Sequence, residues 1–199
     1  KIRGAYNRTL NLTPKERTCG TVSYSSGNHA LGLARAAQML GSSAIIVMPS
    51  DAPAAKIAAT RALGAEIVTF DRDTEHSADV VAQIQSQTGR IEVPPSGHGQ
   101  VLAGAGTAAL EMLEDAGEID TGLVPCGGGG LTAATAVVMA AASPKTQVFA
   151  AEPKLFDDTR RSLEARERLA NPAGRRTICD AIMTPIPNEV TFPVNLDLL

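Results

Sequence analysis

Apolar runs of strand length alternate along this chain with segments of helical period. That alternation limits the possible folds more than any other feature. The sharpest run is Ala44-Ile-Ile-Val-Met48, apolar at every position and closed by Pro49. A strand with no polar side to turn to water belongs in a sheet covered on both faces. Weaker runs lie at 20–24, 65–70, 91–93, 122–125 and 147–151. Between them, helical spacing of apolar residues predicts helices over 2–11, 30–40, 54–63, 74–87, 104–116 and 132–142. Glycines at 41, 64 and 89 close three of these. Strand and helix in regular alternation imply an α/β fold with a parallel sheet and helices on both faces. After Glu152 the pattern weakens. Residues 157–169 read as a charged surface helix, and 171–199 as proline-rich chain without clear period.

Composition removes several function classes. The 199 residues are 44% hydrophobic and 20% charged, with a net charge of −3 and no basic cluster. A nucleic-acid partner is therefore not expected. No apolar run approaches the length needed to span a bilayer, so no membrane partner is expected either. Cys19, Cys126 and Cys179 are odd in number and widely spaced, which fits a reducing, cytoplasmic setting. The chain opens on Lys1 rather than Met and stops without a terminator signal after Asn195-Leu-Asp-Leu-Leu199. It is expected to be an internal piece of a longer protein.

Two loops are placed for chemistry, since ligands in open α/β sheets bind beyond the C-terminal ends of the strands. Gly127, Gly128, Gly129 and Gly130 lie between an apolar strand and an alanine-rich helix. Glycines there let the backbone approach a ligand, and the N–H groups at a helix start attract an anion. The plainer reading is a tight turn. The second loop, Ser25-Ser-Gly-Asn-His29, sets two hydroxyls, an amide and an imidazole before a helix. Helix capping needs only one such residue, so the group favours a site, with a carboxylate as the natural ligand. Glu152 and Asp158 could share a hard cation through intervening carbonyls, although two acids on a loop are ordinarily just solvated. Lys1, on sequence physics alone, is a solvated terminal lysine.

Taken together these motifs carry a resemblance. Lys1-Ile-Arg-Gly-Ala-Tyr-Asn7 is similar to the pyridoxal-phosphate lysine motif of the fold-type II enzymes. Ser25-Ser-Gly-Asn-His29, Pro94-Pro95, Ala103-Gly-Ala-Gly-Thr107, Gly127 to Gly130 and Ala151-Glu-Pro153 follow in that family's order. The set resembles the serine/threonine dehydratase and serine racemase group over nearly the whole chain. The resemblance implies a tryptophan synthase beta-like fold with parallel-sheet, three-layer domains, here incomplete. It places 1–19 and 98–199 in a larger cofactor domain and 20–97 in a smaller one that closes on substrate.

The same resemblance implies roles. Lys1 would form the Schiff base with pyridoxal phosphate and act as base on one face of the substrate. Asn28 would bond the pyridine 3-oxygen, and Gly127 to Gly130 would hold the phosphate. Ser25, Ser26, Gly27 and His29 would bind the substrate carboxylate. Glu152, Phe156 (through its carbonyl) and Asp158 match the spacing of the racemase magnesium or calcium site. Ser26 resembles the position whose hydroxyl works opposite the lysine in serine racemases and hydroxyaspartate dehydratases, where threonine dehydratases usually carry Ala.

The implied activity is deamination of serine, threonine or 3-hydroxyaspartate to a 2-oxo acid and ammonia, by a homodimer. Racemisation of serine or aspartate is the alternative. Ala105 departs from the family's usual Gln, and Ser96-Gly97 from an aromatic-acidic pair. Ser77 stands where several racemase-like members carry Arg. Cys126 and Thr132 to Thr135 differ from the commoner residues around the glycines. A catalytically inactive fragment, or a module that binds phosphate through the glycine loop alone, are the remaining readings.

Overall fold

The computed structural model describes residues 1–25 and 27–199. The chain forms two compact units, Lys1–Pro95 and Ser96–Leu199. The expected division grouped 1–19 with the later residues. In the structure α1 (Ile2–Leu10) packs on α3 (Asn28–Met39), within the first unit.

The first unit is built on four parallel strands in the order β3-β2-β1-β4. These are β1 (Thr21–Tyr24), β2 (Ala44–Pro49), β3 (Glu66–Phe70) and β4 (Ile91–Glu92). β2 is buried at every position, as its unbroken apolar run required. Its register, Thr21↔Ala44 on one side and Ile45↔Glu66 on the other, makes it a central strand. Val22, Ile45 and Val47 form one buried cluster with Val81 of α5 (Ser77–Thr88). Side chains alternate across a strand, so Ile46 and Met48 point to the opposite face, where they too are buried. α3 contacts β1 and β2, while α4 (Ala54–Ala62) packs on α3 and β3. Between α1 and α3 lies α2 (Pro14–Cys19), which opens with a capping box: Thr13 accepts from the Glu16 N–H, and Glu16 accepts from the Thr13 N–H.

The second unit joins β5 (Thr121–Pro125) and β6 (Gln147–Ala151) in a parallel pair, with Thr121 opposite Gln147. α6 (Gly99–Ala116) and α7 (Gly130–Ala142) pack closely. A Cβ on Gly106 would come within 3.2 Å of Val138, so glycine there sets the helix separation. Ala109, Val124, Ala136, Met139 and Val148 make the core of this unit. α8 (Asp158–Ala165), a 3₁₀ turn at Asp180–Ile182 and α9 (Thr191–Leu198) complete it. Among the described residues no helix is long and apolar enough to cross a membrane.

Several expected elements change length. α5 begins at Ser77 rather than 74, because the N–H groups of Thr74 and Glu75 are held in a turn by the Asp71 carbonyl. Its buried residue is Val81, backed by Val80 and Ile84, while Ala78 and Ala82 face solvent. α6 starts five residues early, and its Leu110 and Met112 are exposed. α8 stops at Ala165, where Arg166 turns left-handed at φ 57°. α9 arises where no period was visible.

Candidate active site

Lys1 caps α1, and its position is fixed by the packing of that helix on α3. Gly32 of α3 is the contact point: a Cβ there would stand 3.0 Å from the Ile2 backbone and 3.2 Å from the Lys1 carbonyl carbon. The Lys1 Nζ donates to the Pro95 carbonyl at 2.8 Å. The residue as a whole is exposed, yet the protein crowds its amino nitrogen enough for desolvation to push its pKa below the ordinary lysine value. The nitrogen's own surroundings govern its titration, so the second observation is the relevant one.

The chain just before Pro95 is anchored. Two residues earlier, the Val93 N–H donates to Val22 O at 3.0 Å, and the Val93 carbonyl lies 2.8 Å from His29 Nε2. A carbonyl only accepts, so Nε2 carries the proton, and Nδ1 is a bare acceptor, buried without a partner. His29 was expected among the substrate-binding residues. The structure places its ring in the interior, 2% exposed, as a tie between α3 and the end of β4.

Burial without a counter-charge lowers its pKa to about 3. The unfolded chain therefore takes up the proton first as pH falls. Stability from the neutral ring is complete above the ordinary histidine value and is lost between about pH 6.5 and pH 3. Urea unfolding at pH 7 and pH 5 should show a loss on the order of 2 kcal/mol from this group at pH 5, absent in His29→Gln. Equal pH slopes in the two proteins would refute the assignment.

The loop before α3 is folded on itself. Ser25 N donates to Val47 O at 3.0 Å, extending the β1–β2 ladder by one bond. The Ser25 hydroxyl accepts from the Gly27 N–H at 3.2 Å. Asn28 opens α3 and is exposed. Ser26, expected to work opposite Lys1, lies outside the described residues.

The second unit carries the glycine loop at the C-terminal end of β5. Cys126 ends the ladder by donating to Ala151 O, and its buried thiol is pushed up in pKa by desolvation. All four glycines are crowded by protein neighbours. A Cβ would stand 3.2 Å from Ile182 at Gly127, 2.7 Å from Ser96 Oγ at Gly128, and 2.8 Å from Ser96 Cβ at Gly130. At Gly129, where φ is +79°, it would lie 2.5 Å from the Asn195 amide. Ser96, Thr191 and Asn195 thus close on the loop from the protein side, a role invisible in the sequence. Among the described residues, no hydrogen bond is made by the N–H groups of Gly128, Gly129 and Gly130. They sit at the start of a 13-residue helix, at its positive end. Donors without partners, held rigidly at a helix start, fit an anionic phosphate.

Glu152 and Asp158 also lie in this unit. Both oxygens of Glu152 are engaged, accepting from the N–H groups of Thr159 and Arg160 at 3.0 Å, so the carboxylate caps α8. Asp158 is 1% exposed. Its Oδ1 accepts from Asn171 at 2.6 Å, and its Oδ2 is buried with no partner. Desolvation, reinforced by the Glu152 charge, raises its pKa to about 6. Phe156 is buried beside them. Among the described residues, no group of three His, Cys, Asp or Glu side chains is arranged to hold a metal. Asn171 has no sequence signal. It is fixed by bonds to the carbonyls of Thr184 and Pro185.

Comparison with known proteins adds three findings. A family profile described as "Pyridoxal-phosphate dependent enzyme" matches residues 1–198. The chain is 42% identical over 196 residues to an L-threo-3-hydroxyaspartate ammonia-lyase from a Pseudomonas species, covering 98% of this chain and 60% of that protein. It is 38% identical to an L-threonine ammonia-lyase of Thermotoga maritima, over 96% of this chain and 48% of that one. The maize serine racemase structure superposes with a TM-score of 0.94 at 37% identity, over 100% of this chain and 60% of that one. The chain thus spans about 60% or less of the length of these relatives.

Proposed function

Because the chain belongs to the pyridoxal-phosphate dependent enzymes, we propose that the protein deaminates a hydroxy amino acid such as serine, threonine or 3-hydroxyaspartate, giving a 2-oxo acid and ammonia. The observation that carries this reading is Lys1. Its amino nitrogen is desolvated and donates to the Pro95 carbonyl, two residues beyond the Val93 that His29 and β1 hold. Bound pyridoxal phosphate would supply the electron sink that makes the substrate α-proton removable.

The rest of the chemistry falls to the chain's own groups. A lysine with a lowered pKa is neutral more often near pH 7, and only the neutral amine accepts a proton. Lys1 therefore takes the α-proton. The free N–H groups of Gly128 to Gly130 and the positive end of α7 would hold the phosphate. Asn28, exposed at the start of α3, would hold the pyridine ring of the cofactor. Ser25 and Gly27 would bind the substrate carboxylate. The β-hydroxyl leaves as water with the proton that Lys1 took up, and the released enamine tautomerises and hydrolyses to the 2-oxo acid and ammonia.

A second activity is favoured by one residue. One lysine reaches one face of the planar carbanion, so racemisation needs a second group. Ser26 is the candidate, and the likeness to a serine racemase supports it. Asp158 Oδ2, with Glu152 and the Phe156 carbonyl, would hold magnesium or calcium, since a buried carboxylate oxygen without a partner calls for a cation. Within the same reading the protein is a cytoplasmic homodimer.

The test is a substrate panel on the full-length protein, read by oxo-acid release and chiral amino-acid analysis, with and without EDTA. Release from a hydroxy amino acid, reduced by EDTA in the parent and insensitive to it in Asp158→Asn, is the expected pattern. No release from any hydroxy amino acid would overturn the proposal, and indifference of the parent to EDTA would remove the cation.

A further inference from the structure

α9 makes two polar contacts that no helix needs for its own stability. Thr191, fully buried, donates its hydroxyl to the Gly128 carbonyl at 2.6 Å. Asn195, 1% exposed, donates its amide to the Gly129 carbonyl at 3.3 Å. The Gly129 carbonyl also takes the helical bond from Ala133 N at 2.8 Å. Burying a threonine hydroxyl and an asparagine N–H is costly unless each is bonded; the shortest bond of the Thr191 hydroxyl, which also lies 3.3 Å from Asn188 O, and the bond of the Asn195 N–H both go to the glycine loop. One turn apart on the same face, they meet successive peptide units.

The geometry of the peptide gives those contacts a consequence. Each unit is planar and trans, so the carbonyl of one residue and the N–H of the next point in opposite directions. Holding the Gly128 carbonyl against Thr191 turns the Gly129 N–H away from α9. Holding the Gly129 carbonyl against Asn195 does the same for the Gly130 N–H. Glycine has the greatest backbone freedom to lose, so an unheld loop would present these donors in many orientations. We propose that Thr191 and Asn195 are positioning residues of the phosphate cradle. They fix the peptide planes of the loop so that two N–H groups converge on the anion before it binds. This rests on the reading of the glycine loop as the cofactor's phosphate site.

The test compares pyridoxal phosphate with pyridoxal, which lacks the phosphate, by equilibrium dialysis against the full-length protein. The parent should bind pyridoxal phosphate more tightly than pyridoxal. Thr191→Val keeps the shape and removes the donor. It should weaken pyridoxal phosphate about fivefold to tenfold, the size of one net hydrogen bond, and leave pyridoxal unchanged. Thr191→Ser should restore the difference. Asn195→Leu, which removes the second donor, should reduce the same difference, and it carries the test if Thr191→Val does not fold. A preference for pyridoxal phosphate left intact in these variants, or an equal loss for both ligands, overturns the positioning role alone. A parent with no such preference overturns the phosphate site and the positioning role together.

Discussion

Lys1→Ala is expected to lower oxo-acid release by roughly a thousandfold or more, with little change in the unfolding midpoint. The size follows from what is removed: proton transfer by a positioned side chain contributes about 10² to 10⁴ in rate, and the covalent link to the cofactor goes with it. The small stability effect follows from geometry. Among the described residues, the Lys1 side chain makes one hydrogen bond, to Pro95 O. The packing at that point belongs to the Lys1 and Ile2 backbone on Gly32, which alanine preserves. Lys1→Arg tests charge against chemistry. It keeps a cation near Pro95 but stays protonated, so it should be as inactive as alanine. Activity in either variant within tenfold of the parent would contradict the role given to Lys1.

Gly129→Ala should be the most damaging single change in the loop. Two costs combine. A left-handed conformation costs a residue with a Cβ about 1–2 kcal/mol, and Gly129 sits at φ +79°, ψ 0°. The new methyl would also stand 2.5 Å from the Asn195 amide and 2.9 Å from the Thr191 hydroxyl, in a buried place with no slack. Overpacking of that kind costs roughly another 1–3 kcal/mol. Gly89→Ala separates the two costs. Gly89 has a similar backbone, φ 69° and ψ 12°, at the C-terminus of α5, and nothing lies within 4 Å of its Cβ position. Urea unfolding should therefore show about 1–2 kcal/mol lost in Gly89→Ala and roughly 2–5 kcal/mol in Gly129→Ala. Pyridoxal-phosphate affinity should fall only in the second. Equal losses would mean that the loop is set by backbone strain and not by its neighbours.

These predictions mark where the sequence was legible. β2 was plain because a strand buried on both faces must be apolar throughout, and Ala44 to Met48 is. The glycine loop was legible as a strand-to-helix turn, but its glycines were read for the approach of a ligand. Their first physical reason is the approach of Ile182, Ser96, Thr191 and Asn195, residues distant in sequence. α9 was missed for a related cause. Its buried face includes Thr191 and Asn195, polar side chains bonded to the loop, so no apolar period marks it. Pro193 in its first turn added a false breaker signal, though proline is tolerated there. His29 was placed with the loop's donors because it closes that motif. Only the fold shows that its ring turns inward to Val93 and steadies the segment that receives Lys1.

The central claim is that Lys1 holds the cofactor, and one measurement addresses it directly. The full-length protein is incubated with pyridoxal phosphate, treated with borohydride and digested, and the peptides are fragmented in a mass spectrometer. The phosphopyridoxyl label is expected on the Lys1 side chain, in near-stoichiometric amount. A label found instead on Lys15, Lys56, Lys145 or Lys154, or no stable label at all, would contradict the account.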